Sequence, residues 1–174
     1  MPRIDYATMS PVDLLAAVVR EGASGPAAHV AESLLRPPQQ PPSLRCSADV
    51  YARLRPDFAG LEHERFAVAA VDSRNRMIQI HVVAQGSLAT CTVHPRDVFR
   101  ALLTGRKPPA ACILVHNHPS GDPGPSPEDC TLTARLVDAG KLLGVQVLDH
   151  IVIGSDGYYS FRDRGSLIGE TGRE

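Results

Sequence analysis

An α/β domain with a mixed β-sheet flanked by helices, preceded by a short helical N-terminal segment, is the fold class that this 174-residue chain predicts. Three observations carry that reading. Short apolar runs rich in branched residues, "RFAVAAVD", "RMIQIHVVA", "AACILVH" and "VQVLDHIVIG", recur at strand length. Longer stretches with apolar residues three and four apart separate the later runs, as helices do when they cross over between strands. Finally, "RPPQQPPS", Arg36–Ser43, packs four prolines into eight residues and reads as an extended linker. It divides the chain into a helical segment and linker over 1–43 and a larger unit over 44–174.

Each element has a local reason. "SPVDLLAAVV" places Ser10 at a helix cap and Pro11 in the first turn; "GASGP" interrupts the pattern, and "AAHVAESLL" resumes it as far as Leu35. A helix is expected around Asp49–Leu54. The polar turn Ser73–Asn75 between two apolar runs predicts a hairpin. "HPRDVFRALL" sets Pro95 in a first turn and spaces Val98, Leu102 and Leu103 as a helix would. The continuous apolar run of "AACILVH" suits a strand covered on both faces. "SPEDCTLTARLVDAGKLLG" repeats Leu132, Leu136, Ala139 and Leu143 at helical period and stops at Gly144. "VQVLDHIVIG" and "GYYSF" close the chain as two strands around "SDG". The larger unit therefore reads β-β-α-β-α-β-β after its first helix, with no internal repeat.

Composition narrows the function. Hydrophobic residues make up 43% and charged residues 21%, ordinary values for a globular domain that needs no disulfide or metal to complete a small core. A formal charge of −1 offers no general attraction to nucleic acid, so strong DNA binding is not expected. Cys46, Cys91, Cys112 and Cys130 form no CxxC pair, which favours a reducing compartment over a disulfide framework. No apolar run reaches the roughly 18 residues that span a bilayer, and "MPRIDYATMS" has no signal-peptide core. The expected setting is cytoplasmic, away from membranes, and nothing in the sequence speaks to oligomeric state.

The densest chemistry lies in "ILVHNHPSGDPGPSPEDCT", Ile113–Thr131. Residues two apart on a strand share a face, so His116 and His118 would project together beyond the end of "CILVH". Pro119, Pro123, Pro125 and Pro127 stiffen the loop that follows and pre-organise a distant ligand, for which Asp129 is the nearest well-placed carboxylate. Two imidazoles and one carboxylate leave a fourth tetrahedral position to water, as in catalytic zinc sites. Ser126, Pro127 and Asp129 also compose a near capping box, which accounts for the serine and the aspartate without any metal. Both readings stand on local pattern alone. The letters "HNH" do not denote an HNH nuclease, whose defining residues lie far apart in sequence.

"HNHPSGDPGPSPED" fits H-x-H-x(7)-S-x-x-D and resembles the metal motif of the JAMM (MPN-plus, JAB) metalloproteases, in wording close to their RadC-like branch. "TVHPRDVFRALL", "DAGKLLGVQVLDHIVIG" and "YYS" are also RadC-like, and the resemblance runs from about Cys46 to Gly165. It implies a JAB/MPN, cytidine-deaminase-like architecture. It further implies one Zn²⁺ per chain held by His116, His118 and Asp129, with Ser126 stabilising the scissile carbonyl oxygen. The family's upstream glutamate precedes its first core strand, which points to Glu64 in "HERFAV" rather than to Glu62. Glu64 would be the general base, taking a proton from water and passing it to the leaving amine.

Two departures from the RadC pattern stand out. The usual helix-hairpin-helix, a DNA-backbone-binding element, is not found between Ala23 and Ser43. Asn117 stands where many eukaryotic JAMM proteins have Ser or Thr, which implies a different substrate cleft.

Among other residues, Asp149 and His150 could supply a hydrogen bond to a ligating imidazole. Asp122, before Pro123, reads as a turn residue and not a fourth ligand. Cys130 reads as core and His94 as a helix-start residue. Arg162, Arg164 and Arg173 alternate with acids and make no basic patch.

The function expected is a zinc-dependent hydrolase cleaving a peptide or isopeptide amide in a peptide or protein substrate. The alternative is a DNA-repair or mobile-element accessory protein whose metal site is structural. A deaminase is disfavoured because the paired H-x-E and P-C-x-x-C motifs are missing.

Overall fold

The computed structural model describes residues 6–22, 24–35, 42–86, 93–105 and 107–169. The chain divides into two compact units, Met1–Gln40 and Pro41–Glu174. In the first, α1 (Pro11–Glu21) and α2 (Pro26–Leu35) bury Leu14, Ala17 and Ala27 against one another. Ser10 caps α1, its Oγ accepting from the Asp13 amide at 3.2 Å. Of the proline-rich stretch 36–43, residues 36–41 lie outside the described residues, while Ser43 forms an isolated bridge with Arg76. Cys91 and Arg173 also lie outside them.

The second unit runs α3 (Ser47–Phe58), β1 (Glu64–Val71), β2 (Met77–Gly86), α4 (Pro95–Leu103), β3 (Ala111–Asn117), α5 (Pro127–Leu143), β4 (Gln146–Ile153) and β5 (Tyr158–Ser160). Its five-stranded sheet has the order β2-β1-β3-β4-β5; β3 and β4 are parallel and every other pair is antiparallel. This is the mixed α/β architecture expected. Period-two alternation splits the central strands between two cores. Phe66, Val68, Ala70, Cys112 and Leu114 join Val98, Phe99 and Leu102 of α4 and Leu136 of α5 on one face. Ala67, Ala69, Val71, Ile113, Val115, Ile151 and Ile153 meet Val50, Leu54 and Phe58 of α3 on the other. β3 is buried at all seven positions, as its unbroken apolar run requires.

The structure differs from the sequence reading at several boundaries. α3 starts at Ser47 and passes through Pro56 to Phe58, because the burial of Leu54 and Phe58 against the sheet outweighs the lost amide donor near the helix end. The closing strand stops at Ser160; Phe161 enters a turn, donating its amide to the His150 carbonyl. Leu103 and Leu143 lie at helix ends and are exposed. α5 ends as expected, with Gly144 in the left-handed region at φ 70°. Among the described residues, no helix is long and apolar enough to cross a membrane.

Candidate metal centre

The centre forms where the carboxyl end of β3 meets the N-terminus of α5, a usual position for ligands in α/β sheets. His116 continues the Cys112, Leu114 row toward α5 and is wholly buried. His118 follows one residue after the strand. Its main-chain amide donates to the Ile153 carbonyl at 3.0 Å, which anchors the loop to β4. The two rings meet at Nε2 to Nε2, 3.0 Å apart. Asp129 closes the group, with Oδ1 at 3.4 Å from His116 Nε2 and Oδ2 at 3.4 Å from His118 Nε2. One ligand atom from each of the three lies within 4.8 Å of the others.

Asp129 is the third residue of α5, and the capping box forms in full. The Ser126 amide and hydroxyl both donate to Asp129 Oδ2, at 2.8 and 2.7 Å, while the Asp129 amide donates to Ser126 Oγ at 3.1 Å. The two readings left open by the sequence are therefore compatible. The cap clamps the carboxylate in the orientation that turns it toward the imidazoles.

The donor set fits a cation. His118 Nδ1 lies 2.8 Å from the Asp122 carbonyl oxygen, which can only accept, so the neutral ring carries its proton there and presents a bare Nε2 to the centre. Asp129 offers two carboxylate oxygens beside it. Burial by itself would push Asp129 upward in pKa, but the imidazoles of His116 and His118 and the Ser126 hydroxyl hold it well below the usual carboxylate range. The Asp129 carboxylate in turn raises His118, against the opposing effect of burial. Those shifts arise when the rings carry protons toward Asp129; with both rings neutral and bare at Nε2, a cation would supply the positive charge in their place.

Glu64 opens β1 and lines the same cavity. The β1/β3 register pairs Phe66 with His116, and continued by two residues it sets Glu64 opposite His118. Glu62 lies before the strand and is exposed. Burial raises the Glu64 pKa; Asp129 adds to that rise while His116 and His118 oppose it. The cavity has a volume of about 670 Å³, and its wall includes Phe66, Ser126, Leu132 and Arg135 beside Glu64, His118 and Asp129.

Sequence reasoning placed some residues less well. Asn117, read from the sequence as the mark of a different substrate cleft, is buried and tied to the chain where β1 begins. Its Oδ1 accepts from the Arg65 amide at 2.9 Å and its Nδ2 donates to the His63 carbonyl at 3.1 Å. The side chain thus grips the backbone on either side of Glu64. Of the Asp149, His150 pair, only His150 reaches a candidate ligand, its Nε2 lying 2.8 Å from His116 Nδ1. Asp149 instead accepts from Ser160 Oγ and from the amides of His150 and Arg162, holding the turn after β5. Asp122 is a turn residue as expected, with Oδ1 accepting from the Gly124 amide, but its carbonyl also orients His118. Cys130 is half-buried, and His94 precedes α4 without a side-chain cap. Thr133, one helical turn beyond Asp129, was missed. It is buried with Oγ1 at 2.6 Å from His150 Nδ1, and the four-residue spacing from Asp129 was its only signal in the sequence.

A comparison with protein families matches residues 44–166 to the RadC-like JAB domain. The chain belongs to the RadC-like JAB domain family. Among curated relatives of this RadC-like domain, the UPF0758 protein of Symbiobacterium thermophilum is 48% identical over 120 residues, covering 69% of this chain and 50% of that protein. That of Syntrophotalea carbinolica is 48% identical over 118 residues, covering 68% and 51%. That of Methanosarcina acetivorans is 44% identical over 128 residues, covering 73% and 55%. The RadC-like chain thus spans about half the length of the curated relatives it matches.

Proposed function

We infer that this RadC-like domain is a metal-dependent hydrolase of the JAMM type, cleaving a peptide or isopeptide amide, with one Zn²⁺ per chain held by His116, His118 and Asp129. One observation carries the reading: two imidazole nitrogens and a carboxylate converge, and His118 and the carboxylate face a cavity that a half-buried glutamate also lines. Zinc in such a set would supply Lewis acidity that polarises a carbonyl and lowers the pKa of water to about 7. Glu64, raised in pKa and set across from His118, is suited to take a proton from water and deliver it to the leaving amine. Ser126 lines the cavity with a hydroxyl whose single hydrogen rests on Asp129 Oδ2. In this reading that hydrogen turns toward the scissile carbonyl oxygen when substrate is seated. The cavity volume falls within the range of small-molecule and peptide side-chain sites. The hydrolytic unit comprises residues 44–174, with 1–43 a helical segment and linker that precede it in sequence.

The test begins with metal. Elemental analysis of tag-free protein is expected to find about one zinc per chain, with the content lost in His118→Ala. Full metal content in that variant would overturn the ligand assignment. A screen of peptide and isopeptide substrates with and without chelator then separates a hydrolase from a protein that merely binds metal.

A further inference from the structure

We propose that His150 and Thr133 form a one-way hydrogen-bond relay that sets the tautomer of His116, holding its Nε2 lone pair toward His118 and Asp129. The direction follows from what each atom can give. Thr133 Oγ1 lies 2.6 Å from the Asp129 main-chain oxygen, four residues back along α5, and a carbonyl only accepts. The single hydroxyl hydrogen is spent on that bond. The same Oγ1 lies 2.6 Å from His150 Nδ1 with only lone pairs left to offer, so His150 donates from Nδ1. His150 is fully buried, its ring stacked on Phe161 at 4.9 Å between centroids and set edge-on to Phe66 at 5.5 Å. Neither of its ring nitrogens meets a carboxylate, and a ring in such surroundings stays neutral, with one proton. Its Nε2 is therefore bare and accepts from His116 Nδ1 at 2.8 Å. With its proton on Nδ1, His116 presents a bare Nε2 to the centre.

The reverse direction meets one obstacle. It would move the His116 proton to Nε2, where His118 Nε2 at 3.0 Å could accept it, but it would pull the Thr133 hydroxyl off the Asp129 carbonyl that it reaches at 2.6 Å. The relay starts at one ligand and ends on the backbone of another, joining β3, β4 and α5 through buried atoms. No proton is gained or lost along it. His150 and Thr133 are positioning residues, and the consequence for metal affinity rests on the reading of His116 as a ligand.

Two-bond ¹H–¹⁵N correlation spectra of metal-free, ¹⁵N-histidine-labelled protein, recorded above the histidine titration range, read each tautomer directly. His116 and His150 are both expected as Nδ1–H. In Thr133→Val, which keeps the side-chain shape and removes the hydroxyl, both rings should become tautomer mixtures, and zinc affinity should fall roughly 10- to 100-fold. Thr133→Ser, which keeps the hydroxyl, should restore both. If valine disturbs folding, Thr133→Ala makes the same comparison, and the native spectrum needs no variant. An Nε2–H signature on His116 in the native chain overturns the relay, and so does a Thr133→Val protein with native tautomers and native affinity. A native chain with the Nδ1–H signature that takes up no zinc upholds the relay and overturns the metal reading instead.

Discussion

Glu64 and Asn117 show how a single side chain depends on its neighbours for its role. A general base must be unprotonated, and burial sets Glu64 above the usual 4.5 of a glutamate. Hydrolysis should therefore fall as pH drops through that raised value, on an acid limb that Glu64→Gln removes. The same substitution should retain zinc and lower turnover by about 10²- to 10⁴-fold, the usual contribution of general base catalysis. Measured turnover unchanged in Glu64→Gln but abolished in Glu62→Gln would move the base by two residues. Asn117 holds the chain on both sides of that glutamate. Asn117→Leu leaves the Arg65 amide and the His63 carbonyl without partners, which should cost about 1–3 kcal/mol in urea unfolding. Because Glu64 would shift while His116, His118 and Asp129 stay, activity under the proposed function should drop further than zinc content; a variant of native stability would show the clamp to be idle.

Between residue and molecule, the loop from β3 to α5 is the element that makes the centre. Three groups fasten it: the His118 amide on Ile153, the Ser155 amide on the Gly121 carbonyl, and the capping box at its far end. Gly154 lets this loop approach β4, since a Cβ there would run into the Gly121 carbonyl oxygen and the Pro123 ring. Gly154→Ala should therefore push the loop outward. An overpacking cost of about 1–3 kcal/mol and weaker zinc binding are expected together. Gly157, where an added Cβ meets nothing within 4 Å, provides the control, and Gly157→Ala should change neither. Equal behaviour of the two alanine variants in thermal unfolding and zinc titration would remove the loop from the account.

At the scale of the whole molecule, a metal bound only by the folded state must stabilise it. With free zinc at a hundred times its dissociation constant, linkage adds about 2.7 kcal/mol. For a unit of this size that is a rise of roughly 10 °C in melting temperature. Calorimetry with zinc and with chelator should show the difference in the native chain and none in His118→Ala. An identical melting temperature in both conditions would mean that the folded protein does not bind zinc. The formal charge of −1 gives no electrostatic reason for tight duplex binding. DNA affinity in a salt titration should accordingly be weaker than the roughly 10⁻⁴ to 10⁻⁶ M of phosphate-contacting proteins.

Much of this was open to reading along the chain because it depends on near neighbours. Period-two and helical spacing named the strands and helices, the two-residue step put His116 and His118 together, and Ser126 with Asp129 announced a cap. Asn117 sits between those histidines in sequence, yet its partners at 63 and 65 flank the first residue of β1, more than fifty residues away. Thr133 and His150 lie on separate elements, and only the packing of α5 against β4 brings their atoms to 2.6 Å. The place of Glu64 on the cavity wall likewise depends on β1 lying against β3. Local pattern selects residue types because propensity and spacing act within a few residues. Hydrogen-bond direction and strand register belong to the tertiary structure because they join atoms that the chain's connectivity leaves independent.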